Sequence, residues 1–222
     1  MPEPHTWVLQ LLRLGETVWK GEKPVGLFAK RASFIQPLVI LSGGTARVYQ
    51  ANIDRFRQVV LDAFYGFTGT LISGGTRAGV AGLAGEIAVA EHAQKGGRLE
   101  VLGYLPRGLP DDQSADSRYT EWVPSKGLSF GPMDALQYWT DLLFARVKPQ
   151  DVRVLAIDGG HISAFEYRLA IALGASVGVM EPAMRAASDL LADPDWRDCS
   201  GLVGLPGDAR SVRAFIGPKQ SA

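Results

Sequence analysis

The stretch Leu71-Ile72-Ser73-Gly74-Gly75-Thr76-Arg77-Ala78-Gly79-Val80 constrains this chain more than any other, because an apolar strand runs into a glycine-rich turn that opens a helical run to about Gly96. Paired glycines let the backbone turn tightly and approach a ligand with no Cβ in the way. The unpaired N–H groups of the first helical turn then face whatever sits there, with the positive end of the helix dipole behind them. Such a turn is a ready anion site, and Arg77 adds a charge of fork geometry. Two other strand ends repeat the arrangement, as Ser42-Gly43-Gly44-Thr45 and Asp158-Gly159-Gly160-His161.

Around these turns the pattern alternates strand and helix. Leu38–Leu41, Thr70–Ser73, Leu99–Leu105, Val152–Ile157 and Ala175–Met180 are apolar runs expected of strands buried on both faces, and Tyr119–Val123 reads as a further short strand. Between them, Ile53, Phe56, Val60 and Phe64, then Val80, Leu83, Ala84 and Ile87, recur at helical spacing. Met133, Leu136, Leu143 and Val147 mark a third helix, and Phe165, Leu169, Ala172 and Leu173 a fourth, stopped by Gly174. Gly82 and Gly85 lower helix propensity by about 1 kcal/mol each relative to alanine, which predicts a close approach of that helix to the sheet or to a ligand. The tail reads as a helix near Pro182–Leu191 with proline in its first turn, an Asp/Pro-rich loop, and a short helix after Asp208. The fold class is α/β: a Rossmann-like, doubly wound, mostly parallel sheet with helices on both faces. Residues 1–222 are expected to form one domain, with 1–36 an extension packed on the core; 6–14 reads as helix or strand, and Val25–Ala29 as an edge strand.

Lys+Arg and Asp+Glu both number 23, so no general basic field favours nucleic acid. The single cysteine, Cys199, excludes an intrachain disulfide and a Cys-based zinc site, and fits a reducing compartment. The start, Met1-Pro-Glu-Pro-His5, lacks the features of a signal peptide, and no apolar run approaches a membrane span. A cytoplasmic location is expected. His5, His92 and His161 show no metal-ligand spacing, so no metal or resident cofactor is expected.

In an open parallel sheet, ligands bind outside the carboxyl ends of the strands. All three glycine turns lie at such ends. One Gly-Gly pair is merely a convenient way to leave a strand; three on one edge favour a nucleotide or sugar-phosphate crevice. The chain lacks G-x-G-x-x-G, the Walker loop and G-x-S-x-G, which argues against those enzyme classes. The Pro106–Ser117 loop leaves the third strand at the same edge, so it is expected to border the crevice and to bring Arg107 or Arg118 to phosphate.

With these residues in view, Pro37–Glu181 resembles the SLOG superfamily of Smf/DprA- and LOG-like Rossmannoid proteins. It is most similar to the branch related to the amino-terminal domain of melastatin-type TRP channels. The resemblance rests on the Ser-Gly-Gly-Thr turns at 42–45 and 73–76, on Gly79-Val80, and on Gly159-Gly160 with Glu166. It implies a nucleotide-derived ligand such as ADP-ribose, cyclic ADP-ribose or an NAD-related compound. The implied contacts are Gly43, Gly44, Thr45, Gly74, Gly75, Thr76, Arg77, Gly79, Val80, Arg107, Asp158, Gly159, Gly160, His161, Ser163 and Glu166.

LOG enzymes cleave the base from a nucleoside monophosphate with a P-G-G-x-G-T-x-x-E turn and an upstream arginine. Here Asp158 stands for the proline, Ile162 for the glycine and Ser163 for the threonine, and the Arg-Lys pair of the preceding helix is missing. These departures favour a binding or sensing module, signalling through a homo-oligomer or an effector partner, over a phosphoribohydrolase with Glu166 as catalytic residue. Asp158 would accept a hydrogen bond from ribose. Glu166 also has a purely structural reading, as an acid at the positive end of a helix.

Overall fold

A computed structural model describes residues 28–45, 48, 50–93, 98–111 and 113–218. Its strands are β1 (Leu38–Gly43), β2 (Gly69–Ser73), β3 (Leu99–Leu105), β4 (Glu121–Pro124), β5 (Val152–Ile157), β6 (Ser176–Glu181) and β7 (Leu202–Pro206). They form one seven-stranded sheet in the order β4-β3-β2-β1-β5-β6-β7, with every pairing parallel. The helices are α1 (Gln50–Phe64), α2 (Gly79–His92), α3 (Pro132–Phe144), α4 (His161–Leu173), α5 (Arg185–Ala192) and α6 (Ala209–Ile216). Strand order runs outward from β1 on one side and from β5 on the other, so the topological switch point falls between those two.

Successive side chains of a strand face opposite sides of the sheet. Leu38 and Ile40 therefore pack with Trp139, Leu142, Phe165, Ile171 and Leu190 from α3, α4 and α5. Val39 and Leu41 pack on the other side with Ile53, Phe56, Leu83, Ile87 and Val212 from α1, α2 and α6. This double coverage is why the central strands read as predominantly apolar runs. Among the described residues no helix is long and apolar enough to cross a membrane.

Several local expectations are corrected, among them the third helix, which ends at Phe144, before Val147. The Asp/Pro-rich loop contains a seventh strand, β7, which pairs with β6 from Leu202 to Pro206. It lies at the sheet edge with most residues at least partly exposed, so it carries no buried apolar signature, and Gly204 and Pro206 disguise it further. Proline is tolerated there because an edge strand has no second neighbour. Pro182 is outside the helix that follows, which starts at Arg185. The intervening chain is tied to the β5 turn instead, with Met184 N–H donating to Asp158 Oδ1 (2.9 Å) and Ala186 N–H to the Gly159 carbonyl (3.3 Å). β4 begins two residues late, because Tyr119 turns inward to donate its hydroxyl to the Ala81 carbonyl at 2.8 Å. α2 ends at His92, short of the expected Gly96. The expected element at 6–14 and residues 25–27 of the edge strand lie outside the described residues; Phe28 and Ala29 are not in a strand.

The close approach at Gly85 is to a loop, and not to the sheet or a ligand as expected. A Cβ there would sit 2.3 Å from Asp116 Oδ2 and 2.8 Å from Arg118 Nε.

Candidate functional site

A cavity of about 370 Å³ opens at the carboxyl ends of β1, β2 and β3, above the β1–β5 switch point. Its floor is made by two interlocked glycine turns. A Cβ on Gly43 would lie 2.2 Å from the Ile157 carbonyl oxygen and 2.7 Å from Val80 Cγ2, so only glycine lets β1 and β5 end this close together. Gly79, at φ +60°, has its Cα against Gly44 and Thr45, and Val80 N–H donates to the Gly44 carbonyl at 3.1 Å. Gly43, Gly44, Thr45, Gly74, Thr76 and Val80 all line the space.

The third turn supplies the opposite wall through Gly160, His161, Ile162, Ser163 and Glu166. The first intrahelical bond of α4 is from Ala164 N–H to the Gly160 carbonyl at 2.9 Å. The N–H groups of His161, Ile162 and Ser163 precede it and have no helical acceptor. They form the positive end of α4, at the cavity wall.

One helical turn further, Glu166 accepts a hydrogen bond from the Ser42 hydroxyl. Burial pushes the Glu166 carboxyl up to about 7; the Ser42 bond opposes the rise and the Asp134 charge adds to it. Aromatic rings close the remaining side. Tyr104 is fixed by donating its hydroxyl to Asp141 Oδ2 at 2.8 Å, and Tyr138 meets it edge-on with centroids 5.7 Å apart. Burial, then the Glu166 charge, raises the Tyr138 phenol well above its usual value, so it is a neutral donor. Phe130 completes this wall. Thr76 lines the same cavity and is fully buried, and its Oγ1 has no hydrogen-bond partner among the described residues. No lysine or arginine lines the cavity among the described residues.

The remaining predicted contacts stand outside the lining. Gly75 is turned against Gly103 and Leu105, and its carbonyl accepts from Asp116 N–H at 2.9 Å. Arg77 lies in a neighbouring depression with Gly79, Arg57 and Glu86, and reaches Ser117 Oγ at 3.3 Å. Arg107 is exposed, and its backbone N–H donates to the Gly127 carbonyl. Arg118 is held by Asp116 (2.6 Å) and the Gly82 carbonyl (3.0 Å). Thus the Pro106–Ser117 loop is bound to the β2 turn, through a Thr76–Ala115 bridge, without turning Arg107 or Arg118 into the cavity.

Asp158 is fully buried under the site: both carboxylate oxygens accept from Asn52 Nδ2 (2.8 and 3.0 Å), and one also accepts from Met184 N–H. Burial raises its pKa and these bonds oppose the rise. It braces the β5 turn against α1 and the start of α5. Gly159, at φ +102°, lets the chain pass Ser163 and Tyr167. Tyr104, Phe130 and Tyr138 are the residues that sequence reasoning missed. Only Tyr104 carried a signal, as the aromatic at the carboxyl end of β3.

No family model matches this chain, and no curated protein matches it. Solved structures do. A crystal structure of TM1055, a Northeast Structural Genomics Consortium target, superposes with a TM-score of 0.55 at 19% identity, over 82% of this chain and 98% of that one. The molybdenum cofactor carrier protein from Chlamydomonas reinhardtii does so with a TM-score of 0.53 at 18% identity, over 81% and 95%. A second structure of that carrier gives 0.52 at 19% identity. At these identities the likeness establishes the α/β Rossmann-like fold, and function must be argued from the site.

Proposed function

We propose that the cavity binds a nucleotide-derived small molecule, with its phosphate at the start of α4 and its sugar and ring against Glu166 and the aromatic wall. ADP-ribose, cyclic ADP-ribose and NAD-related compounds are the first class to test. The observation that carries this reading is the meeting, at the switch point, of an open helix N-terminus with a half-buried carboxyl, an unpartnered Thr76 hydroxyl and three aromatic rings. Each part recognises a different portion of such a ligand: N–H groups and dipole the phosphate, carboxylate and hydroxyls the ribose, rings the base. The volume lies within the roughly 300–1,000 Å³ of small-molecule sites. Among the structural neighbours, the Chlamydomonas protein is named a cofactor carrier, which supports carriage or sensing on this fold.

A second reading, an N-glycosidic-bond hydrolase, is supported by Glu166. A carboxyl poised near 7 is suited to general base work. Water would attack the anomeric carbon as the C–N bond breaks, its proton passing to Glu166 and then to the departing base.

Melting temperatures across a panel of AMP, NAD, ADP-ribose, cyclic ADP-ribose and molybdenum cofactor test the first reading, since a ligand of the folded state alone raises them. A panel without any shift overturns it. Chromatography of the same incubations for free base decides between sensor and hydrolase.

A further inference from the structure

At the opposite, amino edge of the sheet lies a separate cleft of about 720 Å³. Arg153, the second residue of β5, forms part of its wall and is 8% exposed. Charged side chains are rarely buried this far without a partner. Yet among the described residues its guanidinium meets no carboxylate: Nη1 donates to the Gln150 (3.0 Å) and Val152 (3.3 Å) carbonyls. Those two bonds orient the plane and leave the Nε–Nη2 edge without an acceptor among the described residues. That edge is the one that grips carboxylate or phosphate in bidentate fashion. Burial also pulls the Arg153 pKa down, and the Asp151 charge opposes the shift.

Arg146 and Lys148 rise from the rim of the same cleft, neither in an ion pair among the described residues. Their place just after α3 complements that helix's negative end, which accounts for two rim charges but not for a buried, oriented guanidinium. Arg146 also holds φ +60°, a conformation that favours glycine. Among the described residues, Asp151 is the single acid in the lining, against three cations.

We propose that this cleft is a second binding site, for a small dianion: a phosphate-bearing metabolite or a dicarboxylate. The Nε–Nη2 edge of Arg153 takes one anionic group in bidentate fashion, and Arg146 and Lys148 supply rim charge that draws the ligand in and raises its on-rate. It is distinct from the proposed nucleotide cavity, because Arg153 and Asp158 lie at opposite ends of β5.

The test is NMR of the arginine Nε–Hε groups in the full chain, titrated with inorganic pyrophosphate and, separately, with succinate. The Arg153 resonance is assigned by its loss in Arg153→Lys. The expected result is a saturable shift of that resonance by one or both probes. A Arg146→Ala/Lys148→Ala double variant, altered only on the exposed rim, should bind at least about ten-fold more weakly, as expected for lost charge-assisted contacts. Gly74→Ala, in the other cavity, should leave the titration unchanged. Which probe binds separates phosphate from carboxylate recognition. An Arg153 resonance that stays still up to tens of millimolar of both probes overturns the proposal. So does a shift that the double variant reproduces at wild-type affinity.

Discussion

Two side chains in the cavity at the carboxyl edge of the sheet are poised in ways that only an experiment on single residues will expose. An unfolded glutamate releases its proton near 4.5, whereas Glu166 in the fold holds it to about 7. Between those values the unfolded chain binds fewer protons, so the Glu166 contribution to stability falls as pH rises and levels off above 7. Glu166→Gln keeps an oxygen to accept the Ser42 bond but cannot ionise. It should match the wild type near pH 4 and exceed it above pH 7 by up to about 2 kcal/mol, as a shift of this size implies after allowance for partial exposure. Thermal melts of both proteins across pH read this directly, and an equal melting difference at both ends would remove the buried-carboxyl argument. For Thr76 the expectation has the opposite character. Its buried hydroxyl is unpartnered, so Thr76→Val should hold or raise apo stability by about 1 kcal/mol, the scale of an unmet hydrogen bond, while weakening any ligand that the hydroxyl serves. The turn glycines were legible from sequence because their steric demand is local. The role of Asp158 was not, because its partner Asn52 lies 106 positions away.

Elements tell a similar story of local signal and distant cause. β1, β2, β3, β5 and β6 were readable because burial on both faces leaves predominantly apolar runs, even with Glu100 in β3 and Arg153 in β5, while β7, at an edge and half-exposed, left no such trace. α2 shows how a helix can be weakened for the sake of its neighbour. Gly85 admits the Asp116–Arg118 pair, which ties the long loop to the helix through the Gly82 carbonyl. In an exposed helix Gly→Ala stabilises by about 1 kcal/mol. Here the new methyl would overlap Asp116 Oδ2, so overpacking of about 1–3 kcal/mol should prevail. Gly85→Ala is therefore expected to lower the melting temperature and to open the 106–117 loop to limited proteolysis. A stabilised variant with an equally resistant loop would show that the ion pair moves aside freely.

At the scale of the whole molecule, the β4-β3-β2-β1 and β5-β6-β7 halves of the sheet meet only along the β1–β5 seam, from Leu38↔Val152 to Gly43↔Ile157. The cavity sits at the carboxyl end of that seam. Glycines near it therefore answer to two masters, the closure of the sheet and the space for a ligand, and the geometry separates them. At Gly43 a methyl would land 2.2 Å from the Ile157 carbonyl, on backbone that cannot yield without parting the two halves. Gly43→Ala should thus destabilise the fold by about 1–3 kcal/mol as an overpacked position, and lose ligand binding as a consequence. At Gly74 the same methyl would meet Ala81 Cβ at 3.6 Å and Phe130 at 3.9 Å, both ordinary contacts, within the cavity lining. Gly74→Ala should leave stability within about 0.5 kcal/mol of wild type, as for a substitution that meets no obstacle. It should still reduce affinity for whichever panel compound binds, because the added atom occupies ligand space. Denaturant titration and calorimetry on the two variants give four numbers. Loss of stability and binding together in Gly43→Ala, with loss of binding alone in Gly74→Ala, is the outcome expected if the ligand reaches from α4 and the aromatic wall across to the β2 turn. If Gly74→Ala binds like the wild type, the ligand keeps to α4 and the aromatic wall and leaves the β2 turn unoccupied.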